Sequence, residues 1–274
     1  MVKSQMAALS PASNPSPKDI FLVVKSYFDG SQTDRISMTL AAIAGRDSAW
    51  AGVEGLWEDM LRERGGAPYP HMKEAMKLEG AFRGWKPVLR NSLIKGLRDG
   101  LVFYASRREI NVFTCTIDIG AHSYWKRKKR LSSPEELCFN QVFQGIVEWY
   151  RDLDELILPK VELIFDRNEG FKSYADKKFN NSAERKKDPF WDLVHSISEM
   201  DMRQEAGLQC ADMLAWSWNR LESKPRSGDL ALKSDFVVDD SFSTIARQIV
   251  GGFRDGRNVR ITEFDLATKT LWLG

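Results

Sequence analysis

The stretch from Ile20 to Ser31, IFLVVKSYFDGS, most constrains what this chain can fold into. A run of Ile, Phe, Leu and Val with little polar alternation suits a strand buried on both faces. It delivers one carboxylate, Asp29, to its carboxyl end, followed at once by Gly30 and Ser31. An acid at the mouth of a buried strand lies where open α/β sheets hold ligands. The remaining sequence is therefore read for what stands around Asp29.

A second apolar run, Arg35–Gly45, follows after the polar turn GSQTDR, so the two strands form an antiparallel hairpin. Asp47 or Ser48 caps a helix in which Trp50, Val53, Trp57, Met60 and Leu61 recur at helical spacing. GGAPYP breaks it. His71-Met72-Lys73-Glu74 opens a short helix ending near Gly80, and Leu89, Leu93, Leu97 and Leu101 mark another beyond Pro87. Ile110–Ile119 alternates and is rich in β-branched residues, which makes it a third strand ending near Asp118. GAHSYWKRKKRLS reads as a loop.

Ser133, Pro134 and Glu136 then form a helix start with a capping box. Val161–Phe165 is a fourth buried strand ending at Asp166. Arg167 to Pro189 is polar and lysine-rich and reads as a mobile insertion. Val194–Met200 is a short fifth strand, and Glu205–Leu221 is a helix with Leu208, Ala211, Leu214, Ala215 and Trp218 on its apolar side. Beyond Gly228 the expectations are a helix around Ser243–Phe253 and strands near Val259–Phe264 and Thr270–Leu273.

The expected architecture is α/β, a mixed sheet of about five strands flanked by helices. It occupies residues 19–225, with a disordered tail over 1–18 and an extension over 226–274 packed on the same domain. At 274 residues and 43% hydrophobic content, such a domain has ample core. The formal net charge of +2 creates no global field for an anionic partner. Cys115, Cys138 and Cys210 lie far apart in apolar runs without zinc spacing, which predicts buried, reduced thiols in a cytoplasmic protein. No run is long enough to span a membrane, and the first residues lack a signal-peptide core, so no membrane partner is expected.

Three acids stand out by placement: Asp29 and Asp166 at strand ends, and Asp212 beside the apolar face of the helix Glu205–Leu221. Parallel neighbouring strands would bring the first two together, and the helix packed across that end would add the third. Carboxylates brought close repel unless a divalent cation lies between them. Oxygen-only ligation selects magnesium or manganese over zinc, and two such ions serve phosphodiester cleavage.

These residues carry a resemblance. Tyr27-Phe28-Asp29-Gly30-Ser31, His71-Met72-Lys73-Glu74, Ile164-Phe165-Asp166 and Leu208 to Ala215 are similar to motifs of domain-of-unknown-function family 3800, in the ribonuclease H-like superfamily. The similarity runs from about Phe21 to Leu221. It implies a ribonuclease H-like fold and a Mg2+- or Mn2+-dependent nuclease, with Asp29, Glu74, Asp166 and Asp212 as ligands. Gly30 departs from the family pattern, which has Glu there; the Asp-Gly-Ser that remains resembles the start of ribonuclease H itself.

His71 is a candidate proton donor to a phosphate or leaving group. Ser31 and Gln209 are candidates to support the ligands. Trp125, Lys126, Arg127, Lys128, Lys129 and Arg130 mix an aromatic ring with cations, a composition suited to phosphates and a stacked base, whether DNA or RNA. Arg185-Lys186-Lys187 is a weaker basic run. The alternative reading is a non-catalytic module of the same fold that binds nucleic acid or a protein partner; a hydrolase acting on nucleotides shares the same site. The chain contains no dinucleotide-binding glycine motif, P-loop, serine elbow or zinc-protease helix.

Overall fold

A computed structural model describes residues 23–33, 36–129, 131–151, 160–167, 169–187, 189–222 and 257–261. The strands are β1 (Val23–Thr33), β2 (Ser37–Arg46), β3 (Ile110–Asp118), β4 (Lys160–Asp166), β5 (Val194–Met200) and β6 (Arg257–Ile261). They form one mixed sheet in the order β5-β4-β1-β2-β3-β6. β1 and β2 are the expected antiparallel hairpin, β2 pairs antiparallel with β3, and β4 lies parallel between β1 and β5. The sheet has one strand more than the five expected of residues 19–225, because β6 from the extension pairs parallel with β3. The expected tail over 1–18, the helix around 243–253 and the strand near 270–273 lie outside the described residues.

The helices are α1 (Asp47–Glu63), α2 (Met72–Lys77), α3 (Pro87–Ser106), α4 (Ile119–Lys129), α5 (Pro134–Arg151), α6 (Gly170–Asn180), α7 (Ser182–Lys187) and α8 (Ala206–Glu222). They cover both faces, so the central strands read as apolar runs rather than alternating ones. On one face Tyr27, Ile43, Val112 and Ile164 pack with Trp50 and Trp57 of α1, Met72 of α2, Leu93 and Leu97 of α3, and Leu208, Ala211 and Leu214 of α8. On the other, Val24, Phe28, Leu40, Phe113 and Phe165 pack with Phe139, Phe143 and Ile146 of α5 and Phe171 of α6. All three cysteines are free and buried, as expected.

Sequence reasoning failed in four places, each for a physical reason. The segment read as a loop after β3 is helix α4. Asp118 starts it by accepting the Ala121 N–H at 2.8 Å, and buried His122 bonds the Ser132 carbonyl at 2.7 Å. The helix is largely polar and shows no apolar stripe that periodicity could detect. The expected mobile insertion contains α6 and α7; Phe171 and Ala175 anchor α6, and Lys172 pairs with Asp176 one turn on at 2.7 Å. β1 does not end at Asp29: it runs on through the expected polar turn to Thr33, because Gly30 to Thr33 pair with Ser37 to Leu40 of β2. Neither Asp47 nor Ser48 caps α1: Arg46 is at the N-cap without a side-chain bond, and Asp47 pairs with Lys25 at 2.7 Å. The Ser133 cap of α5 stands as expected, its hydroxyl accepting the Glu136 N–H at 3.1 Å.

Candidate carboxylate site

β1 and β4 run parallel with Phe28 opposite Phe165, so Asp29 and Asp166 follow at the same level on neighbouring strands. β4 ends there while β1 continues beside β2 to Thr33, which opens a mouth between them. Strand side chains alternate faces. Tyr27 and Ile164 lie in the core under α8, so Asp29 and Asp166, two residues on, take the α8 face. α8 comes close to β1 because residue 207 is glycine: a Cβ there would run into the Tyr27 ring. Asp212 sits one and a half turns further along this helix.

Asp29 is 8% exposed and Asp212 is 7% exposed. Burial pushes the Asp29 carboxyl well above the ordinary range, and Asp212, Glu169 and Asp166 add to the effect. Burial likewise raises Asp212, to about 6, against the opposing pull of His71 and the Met72 N–H. The outer acids are each held by a backbone amide. Met72 donates to Asp212 Oδ2 at 2.7 Å, Met202 to Asp166 Oδ1 at 3.0 Å, and Gly30 to Glu169 Oε2 at 3.2 Å. Among the described residues no lysine or arginine pairs with Asp29, Asp212 or Glu169, and no side-chain donor reaches Asp29; the Gly30 N–H is the group that favours its charged form. Arg167 turns away from Asp166 and pairs with Asp201 at 3.3 Å.

These acids offer carboxylate oxygens, the donor type that a hard divalent cation takes; Asp29 and Asp212 are buried, Asp166 and Glu169 are half-buried. Among the described residues, no group of three or more Asp, Glu, His or Cys side chains is arranged to hold a metal ion.

Glu74 and His71 lie beside Asp212 but form a group of their own. Glu74 accepts from the Ala81 N–H at 3.1 Å and the Tyr69 hydroxyl at 3.3 Å, with His71 Nδ1 at 3.4 Å. Burial works to raise the Glu74 carboxyl, but these donors outweigh it and hold the group below its ordinary value. The electrostatic influence of both residues on Asp212 ties the group to the site. Gln209, 4% exposed, accepts from Trp57 Nε1 at 2.6 Å and donates to the Met202 carbonyl at 2.8 Å. It thus braces the turn whose amide holds Asp166. The Ser31 carbonyl accepts from Asn219 Nδ2 at 3.1 Å.

Two residues here were missed by sequence reasoning. Asn219 of α8 ties the hairpin together, bonding Thr33, Ser37 and Thr39 as well as Ser31. Glu169 reaches Gly30 from the α6 side, and burial raises its carboxyl. The available signal was a second acid three residues beyond the strand-ending Asp166, where the Glu169 N–H closes a turn on the Asp166 carbonyl at 3.2 Å. Asp118, in contrast, is taken up by the start of α4.

Of the basic segment, Lys126 is exposed on α4, as is Tyr124. The side chains of Trp125, Arg127, Lys128 and Lys129, and all of Arg130, lie outside the described residues. No helix among the described residues is long and apolar enough to cross a membrane. Compared with known proteins, the chain matches no family model, no curated protein and no solved structure.

Proposed function

We propose that this protein is a Mg2+- or Mn2+-dependent nuclease of ribonuclease H-like type that hydrolyses phosphodiester bonds. The observation that carries the reading is the placement of Asp29: a buried acid level with Asp166 on the neighbouring parallel strand, on the face covered by α8, which carries buried Asp212. The strand order β5-β4-β1-β2-β3, with only β2 antiparallel to its neighbours, supports the fold assignment, as do Asp166 at the end of β4 and Asp29 at the same level of β1.

Asp29, Asp166 and Asp212 would hold the cations, with Asp29 between the other two. The bound cations would supply polarisation of the scissile phosphate and a lowered pKa for the attacking water. The Met72 and Met202 amides orient Asp212 and Asp166, so these ligands are positioned before substrate arrives. Glu74 steadies the His71 ring through Nδ1, which leaves Nε2 available to move a proton near Asp212. Glu74 would thus serve the site by holding His71 rather than as one of the cation's ligands.

Purified protein incubated with Mn2+ and mixed single- and double-stranded DNA and RNA tests the proposal. Cleavage by the wild type that Asp29→Ala abolishes is the expected result. Equal cleavage by the two proteins would overturn it.

A further inference from the structure

We infer that helix α4 grips the phosphate backbone of the nucleic-acid strand that the carboxylates would cut, a role that rests on the nuclease reading.

The charge of this helix is local. Over the whole chain 40 lysines and arginines face 38 acids. Between Asp118 and Glu135 there is no acid at all, and five cations stand in a row from Lys126 to Arg130. Four of them, Lys126 to Lys129, lie on α4, within about 6 Å of helix axis.

α4 is rooted at its start and clear of the core at its end. The Ile119 N–H donates to the Ile36 carbonyl at 3.0 Å, Asp118 takes the Ala121 N–H at 2.8 Å, and Ile119 and Ala121 pack against the second core. His122 is buried, yet Lys126, one turn on along the same side, is exposed, as is Tyr124. The helix has therefore passed the edge of the core by its second turn. The chain returns at buried Leu131, whose N–H reaches the Lys126 carbonyl at 3.4 Å.

A strand of phosphates is the partner that this arrangement fits. A helix that lies on lipid needs an apolar face to sink below the headgroups, and α4 has none. Regularly spaced phosphates match a short run of cations, and exposed Tyr124 offers a ring on which a base can stack. The position agrees. Asp118, at the foot of α4, pairs with Ser37, and Ser37 pairs with Thr33 of β1, so α4 rises from the end of the sheet toward which β1 carries Asp29. Asp118 stands two strands across and four residues along from the level of Asp29, a separation of about 17 Å. A strand held on α4 would need only a few nucleotides to cross the sheet end to the acids.

The test is fluorescence anisotropy of labelled single-stranded DNA and RNA of about 20 nucleotides, in EDTA so that nothing is cut. Wild type, Lys126→Gln/Lys129→Gln, Lys126→Arg/Lys129→Arg and Lys86→Gln/Lys95→Gln are compared between about 0.05 and 0.2 M salt. Glutamine keeps a good helix former at both positions of α4. This pair should lower affinity about 10-fold at about 0.1 M salt and make the slope of log affinity against log salt shallower by about 1.4. The arginine pair should bind as wild type. So should the Lys86/Lys95 pair, which removes the same charge from exposed positions at α3. A loss on DNA, on RNA or on both identifies the polymer that α4 holds. No binding by the wild type, or an α4 glutamine pair that binds as wild type or no worse than the Lys86/Lys95 pair, would overturn the role of α4. So would glutamine-sensitive binding of phosphatidylserine vesicles with nucleic-acid affinity unchanged. The nuclease reading is tested separately by cleavage in Asp29→Ala: cleavage that needs Asp29 while binding ignores α4 removes only the grip, and α4-dependent binding without cleavage removes only the nuclease.

Discussion

Trp57 Nε1 donates to Gln209 Oε1 at 2.6 Å inside the protein, and this one bond links the core of α1 to the carboxylate site. The Gln209 amide passes the connection to the Met202 carbonyl, and the Met202 N–H holds Asp166. Asp166 is thus positioned by a chain of bonds that begins in buried tryptophan packing.

Gln209→Leu should therefore destabilise the protein by about 2 kcal/mol, because the Trp57 N–H is left buried without an acceptor. Urea denaturation measures the loss. Mn2+ affinity should fall as well, and Trp57→Phe, which removes the donor at the start of the same chain, should lower it in the same direction.

Stability in metal-free buffer should fall as pH rises from about 4 to 7. Asp212 is held at about 6 in the folded protein against an ordinary value of 3.8, so over that window the folded state binds the extra proton. The contribution is fully present below the unfolded value and is lost as pH passes through the folded one, at a cost of about 3 kcal/mol from this group. Asp29 acts in the same direction. Glu74, held low, acts in the opposite sense: its contribution is present above the ordinary value of 4.5 and is lost as pH falls through the lower folded one. Asp212→Asn, which can still accept the Met72 N–H, should flatten the dependence measured by urea midpoints at pH 5 and pH 8.

Mn2+ should reverse this trend. A cation binds the deprotonated acids, so the gain in melting temperature on adding Mn2+ should be larger at pH 8 than at pH 5. Asp29→Asn should show no gain at either pH, measured by differential scanning fluorimetry.

Two glycines give opposite expectations. Gly207→Ala puts a methyl into the Tyr27 ring and should cost about 1–3 kcal/mol by overpacking. Gly55 is exposed in α1, and a methyl added there would meet nothing within 4 Å, so alanine should bring a gain of about 0.4–1 kcal/mol. Thermal melts of the two variants separate a tight approach of α8 to β1 from ordinary helix propensity.

The end of β4 and the helix acid were legible because short-range pattern sets them, whereas β1 runs past Asp29 to Thr33 because β2 pairs with it that far. An unbroken apolar run identified β1 and β4, and an acid beside a helical stripe identified Asp212. That β1 and β4 pair in parallel was open in the sequence, since the contact joins segments far apart along the chain. Glu169 was hidden for another reason: it lies in a lysine-rich stretch whose helix α6 buries only Phe171 and Ala175, too few positions to define a period. The crowding beside Gly30 was likewise invisible, because the space there is filled by that same distant segment. α4 was missed because charge, which marks a loop by composition, also marks a solvated helix.

The most direct test of the central claim is the anomalous diffraction of Mn2+ in crystals of the wild-type protein. The account predicts a peak within about 2.0–2.3 Å of an Asp29 carboxylate oxygen, with Asp166 or Asp212 also in its coordination sphere. Manganese peaks confined to other parts of the surface, with the Asp29 carboxylate uncoordinated at saturating Mn2+, would contradict it.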